Sequence, residues 1–116
     1  MKEPTCQISF WGQMRSFIPH LNPRDFLQSV QNCPDACLLD VRTPEEFRKD
    51  GLKNAKNLDY LGASFIDELL SLPKDSSYFV YCRSGRRSLR VCTLMHNCGF
   101  SKVYNLDGGL AVMFEK

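Results

Sequence analysis

Residues 78–88 of this 116-residue chain read YFVYCRSGRRS, and they are the stretch that best indicates its fold. The aromatic and β-branched residues at 78–81 predict a strand that is buried on both faces of a sheet. Gly85 allows the chain to turn sharply after that strand. Leu89, Cys92 and Met95 then recur at intervals of three, which is typical of one face of a helix. This stretch therefore predicts a strand, a short loop and a helix in succession.

Similar strand and helix signals occur on both sides of this stretch. Thr43, Pro44 and Glu46 follow an apolar run and have the spacing of a capping box at a helix start. Further strands are predicted at residues 37–41, 54–60 and 102–106, and further helices begin near Pro23, Pro44, Phe65 and Leu110. Strands that alternate with helices predict an α/β fold, with a mainly parallel sheet that has helices on both faces.

Composition and charge exclude several classes of protein. Lys and Arg number 15 and Asp and Glu number 13, so the formal net charge is only +2, which argues against a general nucleic-acid-binding protein. No apolar run approaches the roughly 20 residues that a membrane-spanning helix needs. With 43% hydrophobic residues the chain can bury a single core, as expected of one domain.

The two ends of the chain differ in how much they predict. Residues 1–19 are expected to be an N-terminal extension, either a short amphipathic helix or an arm, and residues 20–116 to form the folded domain. Residues 1–6 lack the basic and apolar layout of a secretory signal. The six cysteines are expected to be reduced thiols of a cytoplasmic protein, and a periplasmic or exported protein is the alternative if a leader has been removed.

Cys82 is the leading candidate for a reactive group. It ends a predicted strand and is followed by a short loop that runs into a helix, where backbone N–H groups and the helix dipole favour an anion. Four arginines lie within the next nine residues, at 83, 86, 87 and 90. All of these favour the thiolate, which is the nucleophilic form of cysteine. The alternatives are a buried structural cysteine beside a solvated or phosphate-binding arginine cluster.

Three segments together resemble rhodanese-like domains. Residues 82–88 (CRSGRRS) are similar to the active-site loop of that family, residues 38–47 (LLDVRTPEEF) to its motif near the domain start, and residues 99–110 (GFSKVYNLDGGL) to its motif near the end. The resemblance extends over about residues 20–114. It implies a rhodanese-like domain over residues 20–116 with a five-stranded, mostly parallel sheet flanked by helices.

The resemblance also implies an activity, sulfur transfer from a small sulfur-containing anion such as thiosulfate to cyanide, a thiol or a protein acceptor. Cys82 is then the residue that carries the sulfur as a persulfide. Backbone N–H groups of residues 83–87 are expected to hold that persulfide, Arg87 to close the loop, and Arg83 and Arg86 to bind or steer the donor. The persulfide- and substrate-binding loop comprises Arg83, Ser84, Gly85, Arg86, Arg87 and Ser88.

Asp40 and Arg42 match a further part of the family pattern, in a supporting position. A structural ion pair is at least as good an interpretation of these two residues as a contact with substrate. Where the family usually has His and Pro in the segment before its next strand, residues 50–57 read DGLKNAKN, so the loop leading into that strand is expected to differ.

Two other functions remain open from the residues. A cysteine phosphatase or an arsenate reductase on the same kind of sheet is one, although phosphatases resemble this loop with one residue more between Cys and Arg. The other is a non-catalytic rhodanese-like module that binds a partner, although inactive modules typically lack the cysteine. Oligomeric state and the biological donor and acceptor are left open by the sequence.

The remaining cysteines and histidines have weaker signals. Cys33 and Cys37 have no second close pair to complete a zinc site, so neither a metal nor another cofactor is expected. Cys92 or Cys98 could resolve a Cys82 persulfide as a disulfide, with burial as the simpler interpretation. The two histidines, at 20 and 96, are assigned no catalytic role.

Overall fold

The structure is a computed structural model, and it describes residues 18–115. The expected extension over residues 1–19 therefore lies outside the described residues apart from its last two positions, and its predicted helix or arm stays a prediction. No helix among residues 18–115 is long and apolar enough to cross a membrane.

A five-stranded sheet lies at the centre of the described chain, and each neighbouring pair of strands is parallel. The spatial order is β1-β5-β4-β2-β3. The strands are β1 (His20–Leu21), β2 (Ala36–Asp40), β3 (Lys56–Asn57), β4 (Ser77–Tyr81) and β5 (Val103–Leu106). All five therefore end at the same edge of the sheet.

The helices predicted near Pro23, Pro44, Phe65 and Leu110 each begin within one residue of the predicted position. Asn22 accepts a hydrogen bond from the Asp25 amide at the start of α1, and Thr43 forms the predicted capping box with Glu46 at the start of α2. These local bonds satisfy helix N–H groups that would otherwise lack partners. The helices are α1 (Pro23–Asn32), α2 (Pro44–Asp50), α3 (Phe65–Leu70), α4 (Arg86–Asn97) and α5 (Gly109–Met113).

Each face of the sheet has its own apolar core. On one face Leu39 and Val80 pack with residues of α3 and α4, among them Leu69 and Leu89. On the other face Phe79 and Leu38 pack with Phe26 of α1 and Leu110 of α5. Helices on both faces of a parallel sheet confirm the predicted α/β architecture.

The structure differs from the sequence expectation at three places. Strand β1 has only two residues and was not among the strands that the apolar pattern predicts. The predicted strand at residues 54–60 is shortened to Lys56–Asn57. The spacing of Phe26, Leu27 and Val30 in the sequence predicts that all three lie on one buried face of α1, but Leu27 is 41% exposed, because the neighbouring Phe26 occupies the position that faces the sheet.

Candidate active site

Cys82 lies directly after β4, at the carboxyl edge of the sheet, and its side chain is buried. Its sulfur accepts a hydrogen bond from the backbone N–H of Gly85 at 3.1 Å and another from that of Ser88 at 3.3 Å. Gly85 is the N-cap residue of α4, so the sulfur lies at the positive end of the helix dipole. Both the amides and the dipole favour negative charge on the sulfur.

The loop after Cys82 is held in its curled shape by α5. The N–H of Leu110 donates to the carbonyl of Cys82 at 2.9 Å, and the N–H of Ala111 donates to that of Arg83 at 2.8 Å. Gly85 completes the turn with a φ of 91°, a left-handed conformation that a side chain disfavours. Because the two carbonyls point toward α5, the following amides can face the sulfur.

The backbone amides that donate to the Cys82 sulfur differ in part from those that the sequence predicts. Residues 83–87 were predicted to supply them, but Ser88, one residue further, supplies one of the two. The N–H of Arg86 lies 3.4 Å from the hydroxyl of Ser84 instead. The Ser88 side chain also reaches the sulfur, because its Oγ lies 3.4 Å from the Cys82 Sγ. Ser88 thus contacts the candidate nucleophile with both its backbone and its side chain.

A cavity of about 330 Å³ opens over Cys82. Among residues 18–115 its walls are mostly arginine, with a single carboxylate, that of Glu46. Hydrogen bonds from Thr43, and the charges of Arg42 and Arg87, hold the pKa of Glu46 below its usual value. The lining residues are Arg42, Glu46, Cys82, Arg83, Ser84, Arg86, Arg87 and Arg90. Such a cavity can bind a small anion next to the sulfur.

Asp40 and Arg42 form a buried ion pair, as one of the two interpretations of the sequence predicted. Arg42 is 1% exposed and contacts Asp40 at 2.8 Å, while its other terminal nitrogen contacts Asp50 at 2.7 Å. Burial disfavours the charge on Arg42, but the hydrogen bonds that it donates to the carboxylates of Asp40 and Asp50 outweigh this cost and raise the pKa of the guanidinium. Arg42 lines the cavity, whereas Asp40 is fully buried and is not part of the cavity wall.

Asp50 joins this pair to the loop. Its second carboxylate oxygen contacts Arg83 at 3.1 Å, so one carboxylate bridges Arg42 and Arg83. The bond from Arg42 lowers the pKa of Asp50, and Arg83 lowers it further. Asp50 was not identified from the sequence, since a single aspartate at the end of a predicted helix forms no recognisable motif.

The other arginines differ in their surroundings. The guanidinium carbon of Arg87 lies 5.9 Å from the centre of the Tyr60 ring, in a cation–π contact, and its side chain is half-buried. Arg86 and Arg90 are exposed at the cavity rim. Four of the six predicted loop residues line the cavity. The other two, Gly85 and Ser88, donate backbone N–H hydrogen bonds to the Cys82 sulfur.

The cysteines proposed as resolving residues lie away from the cavity walls. Cys92 is completely buried in α4, and burial raises the pKa of its thiol, with a further contribution from Cys82. Cys98 is half-buried at the end of the same helix. Within residues 18–115 there is no group of three or more potential metal-ligating side chains.

Comparison with known proteins identifies the family. Residues 22–115 match the sequence profile of the rhodanese-like domain. The chain belongs to this family. A sulfurtransferase of Allochromatium vinosum is 31% identical to it over 94 residues, which cover 80% of this chain and 85% of that protein. The rhodanese resemblance inferred from the three motifs is confirmed.

Solved structures share the fold of this chain. A rhodanese-like domain protein from Staphylococcus aureus superposes with a TM-score of 0.73 at 23% identity, over 85% of this chain and 94% of that one. The polysulfide-sulfur transferase homodimer of Wolinella succinogenes gives a TM-score of 0.70 at 25% identity, over 91% and 82% of the two chains. The rhodanese-like fold is thereby confirmed.

Some curated relatives are much longer than this rhodanese-like domain. The chain spans 30% of a tRNA uridine(34) hydroxylase from Onion yellows phytoplasma and 17% of a tRNA sulfurtransferase from Desulfurococcus amylolyticus. It spans 52% of the Arabidopsis thaliana protein HIGH ARSENIC CONTENT 1. Sequences similar to this domain therefore occur within longer proteins that have different names.

Proposed function

We propose that this protein is a sulfurtransferase that moves sulfane sulfur from a small anionic donor to a nucleophilic acceptor through a persulfide on Cys82. The observation that carries the proposal is the Cys82 sulfur, which accepts two backbone N–H bonds at the base of an arginine-lined cavity. The sulfurtransferase name of the Allochromatium vinosum relative, which this chain nearly spans, supports the same reaction class.

The first half-reaction loads the cysteine. The Cys82 thiolate attacks the outer sulfur of a donor such as thiosulfate, a new S–S bond forms, and the old S–S bond breaks with its electron pair leaving on sulfite. The outer sulfur of the resulting persulfide then lies in the cavity, where the amides and the helix dipole favour its negative charge. No metal or redox cofactor enters this balance.

The second half-reaction removes the outer sulfur from Cys82. An acceptor nucleophile, cyanide in an assay or a thiolate on a small molecule or protein, attacks the outer sulfur. The persulfide S–S bond breaks and its electrons return to the Cys82 sulfur as thiolate. Because the first product leaves before the acceptor reacts, the scheme is ping-pong.

The cavity supports an anionic donor in particular. Arginines on several sides of Cys82 increase the local concentration of small anions. Their positive charge also reduces the repulsion between the thiolate and an anionic donor. The proposed donor-binding residues are Arg83 and Arg86, which are exposed at the cavity. Arg87 is proposed to hold the loop, since it is half-buried against Tyr60.

Intact-mass spectrometry tests the proposal directly. After incubation with thiosulfate the reduced protein should gain one sulfur atom, and it should lose that atom when cyanide is added, with thiocyanate as the product. Cys82→Ser should gain none, because an alcohol does not ionise here as a thiol does. Cys98→Ser is the matched control, with a half-buried cysteine outside the cavity, and should load like the wild type. Turnover of thiosulfate by Cys82→Ser would refute the proposal.

A further inference from the structure

Ser88, Asn105 and His20 continue the contacts of Cys82 away from the cavity. The Ser88 hydroxyl donates to the side-chain oxygen of Asn105 at 2.6 Å. The Asn105 side-chain nitrogen lies 3.2 Å from Nδ1 of His20. A chain of three contacts thus connects the candidate nucleophile to strand β1. It passes through Ser88 and Asn105, which are buried, and ends at His20, which is half-buried.

The direction of each hydrogen bond in this chain depends on the next one. A hydroxyl has a single proton, so Ser88 cannot donate it to Asn105 and to the Cys82 sulfur at the same time. While Ser88 donates to Asn105, its oxygen accepts from the Cys82 thiol. In the His20 tautomer whose proton is on Nε2, Nδ1 accepts from the Asn105 nitrogen, and this leaves the Asn105 oxygen to accept from Ser88. The arrangement therefore suits a protonated Cys82.

Ionisation of Cys82 changes what the sulfur needs. A thiolate has no proton to give to Ser88, and a hydroxyl donor in that place would stabilise it better than a hydroxyl lone pair. Ser88 can turn its proton to the sulfur if Asn105 reverses its amide, so that the amide nitrogen donates to Ser88. The reversal takes the donor away from His20 Nδ1, which then faces the Asn105 oxygen.

We propose that Asn105, held in its orientation by His20, is a positioning residue that sets whether the Cys82 sulfur has two hydrogen-bond donors or three. The bond to His20 favours two donors, the amides of Gly85 and Ser88. The bond to His20 thereby disfavours ionisation of Cys82. It also leaves the thiolate less stabilised and so a better nucleophile, because a thiolate becomes less nucleophilic as its parent thiol becomes more acidic. This inference rests on the proposed role of Cys82, and it assigns a role to two residues outside the family's cysteine loop.

The test measures the ionisation of Cys82 by NMR of its ¹³C-labelled β-carbon in the reduced protein. His20→Phe keeps a planar ring but removes Nδ1. Its Cys82 ionisation constant should rise about 2- to 10-fold, the contribution of one hydrogen bond. His20→Asn can place an amide oxygen near the Nδ1 position and should return the constant toward the wild-type value. His20→Leu repeats the test with a side chain of another shape.

Two controls separate this role from a structural one. In a Ser88→Ala background the His20→Phe substitution should leave the ionisation constant unchanged, because the connecting hydroxyl is gone. His96→Phe, on the exposed side of α4, should have no effect in either background. The titratable and charged groups around Cys82 are the same in every variant, namely the buried thiol of Cys92 and the cavity residues Arg42, Glu46, Arg83, Arg86, Arg87 and Arg90.

Two results would overturn the proposal. One is an unchanged or smaller ionisation constant in folded His20→Phe or His20→Leu. The other is an equal increase with and without the Ser88 hydroxyl. Since the measurement uses no sulfur donor, its outcome is independent of whether thiosulfate loads Cys82, so the failure of this inference and of the proposed function can be told apart.

Discussion

Gly109 lies so close to Arg83 that a Cβ atom on it would be 2.4 Å from the Arg83 carbonyl oxygen. The same atom would be 2.6 Å from the carbonyl oxygen of Cys82. This close approach lets backbone N–H groups in the first turn of α5 donate hydrogen bonds to the carbonyl groups of Cys82 and Arg83. The shape of the active-site loop therefore depends on a glycine that lies 27 positions after Cys82 in the chain.

Gly109→Ala is expected to distort the cysteine loop and to abolish sulfur loading. Its φ of 66° and the two backbone contacts together should lower the free energy of unfolding by about 2–5 kcal/mol. Gly99→Ala is the matched control, since Gly99 also has a positive φ but a Cβ there would meet only the flexible Lys74 side chain at 3.6 Å. It should cost about 1–2 kcal/mol and retain activity. Chemical denaturation and the thiosulfate assay measure both, and equal behaviour of the two variants would contradict the argument.

Arg87→Lys is expected to lose more activity than Arg86→Lys, although both substitutions keep the charge. The Arg87 guanidinium lies over the Tyr60 ring and is half-buried, and the flexible ammonium of lysine replaces neither its planar shape nor its set of donors. We expect kcat/KM for thiosulfate to fall at least about tenfold in Arg87→Lys, or about 1.4 kcal/mol of transition-state stabilisation. Arg86→Lys should be milder. Equal losses would mean that Arg87 acts through its charge alone.

Asp50→Asn is expected to change the response of stability to acid. The folded-state pKa of Asp50 is lowered from 3.8, mainly by its bond to Arg42, so the carboxylate is more stable in the folded than in the unfolded protein. That contribution is fully present above pH 3.8 and is lost as the pH falls through the folded-state pKa. The stability difference between wild type and Asp50→Asn should therefore be constant near neutral pH and shrink below pH 3.8.

Denaturation midpoints across this pH range measure the effect. Asp75→Asn, an exposed aspartate in the turn before β4, is the control and should run parallel to the wild type. A difference between wild type and Asp50→Asn that stays constant down to strongly acidic pH would mean that the bridge to Arg42 and Arg83 adds nothing to stability.

The parts of this structure that the sequence predicts are those set by neighbouring residues. The capping box at Thr43, the strand before Cys82 and the turn at Gly85 depend on residues a few positions apart. Strand β1 does not, because its two residues become a strand only by pairing with β5, about 85 residues away: His20 pairs with Asn105. A two-residue segment has no periodicity to detect.

The same limit applies to the site. Cys82 and its arginines are recognisable because they lie close together in the sequence, whereas Asp50 is joined to Arg83 across 33 positions and His20 to Asn105 across 85. Of Asp50, His20 and Asn105, the last is the one that the sequence could have indicated. It is a polar residue within a mostly apolar strand, and a buried amide side chain requires hydrogen-bond partners. His20, in the least regular part of the folded sequence, left no such signal.

The final prediction concerns the rival phosphatase reaction. The wild-type protein should turn over thiosulfate and should hydrolyse p-nitrophenyl phosphate negligibly. Its donors converge on a single sulfur, with the Gly85 and Ser88 amides 3.1 and 3.3 Å from Sγ, while the Arg86 amide lies against the Ser84 hydroxyl. A tetrahedral phosphoryl group on Cys82 needs donors at three oxygens further out, and donors aimed elsewhere lose most of their electrostatic effect.

The length of the loop explains why its backbone donors surround a single sulfur atom. Four residues separate Cys82 from Arg87, and one more would add about 3.3–3.6 Å of chain contour. The loop has little room to accept it, since a Cβ on Gly85 would already lie 3.1 Å from the Gly108 nitrogen. An insertion of one glycine after Gly85 should therefore depress sulfur transfer. Initial rates of the wild type with thiosulfate and with p-nitrophenyl phosphate at matched concentrations decide between the reactions, and faster hydrolysis of the phosphate ester would replace the sulfurtransferase proposal with the phosphatase.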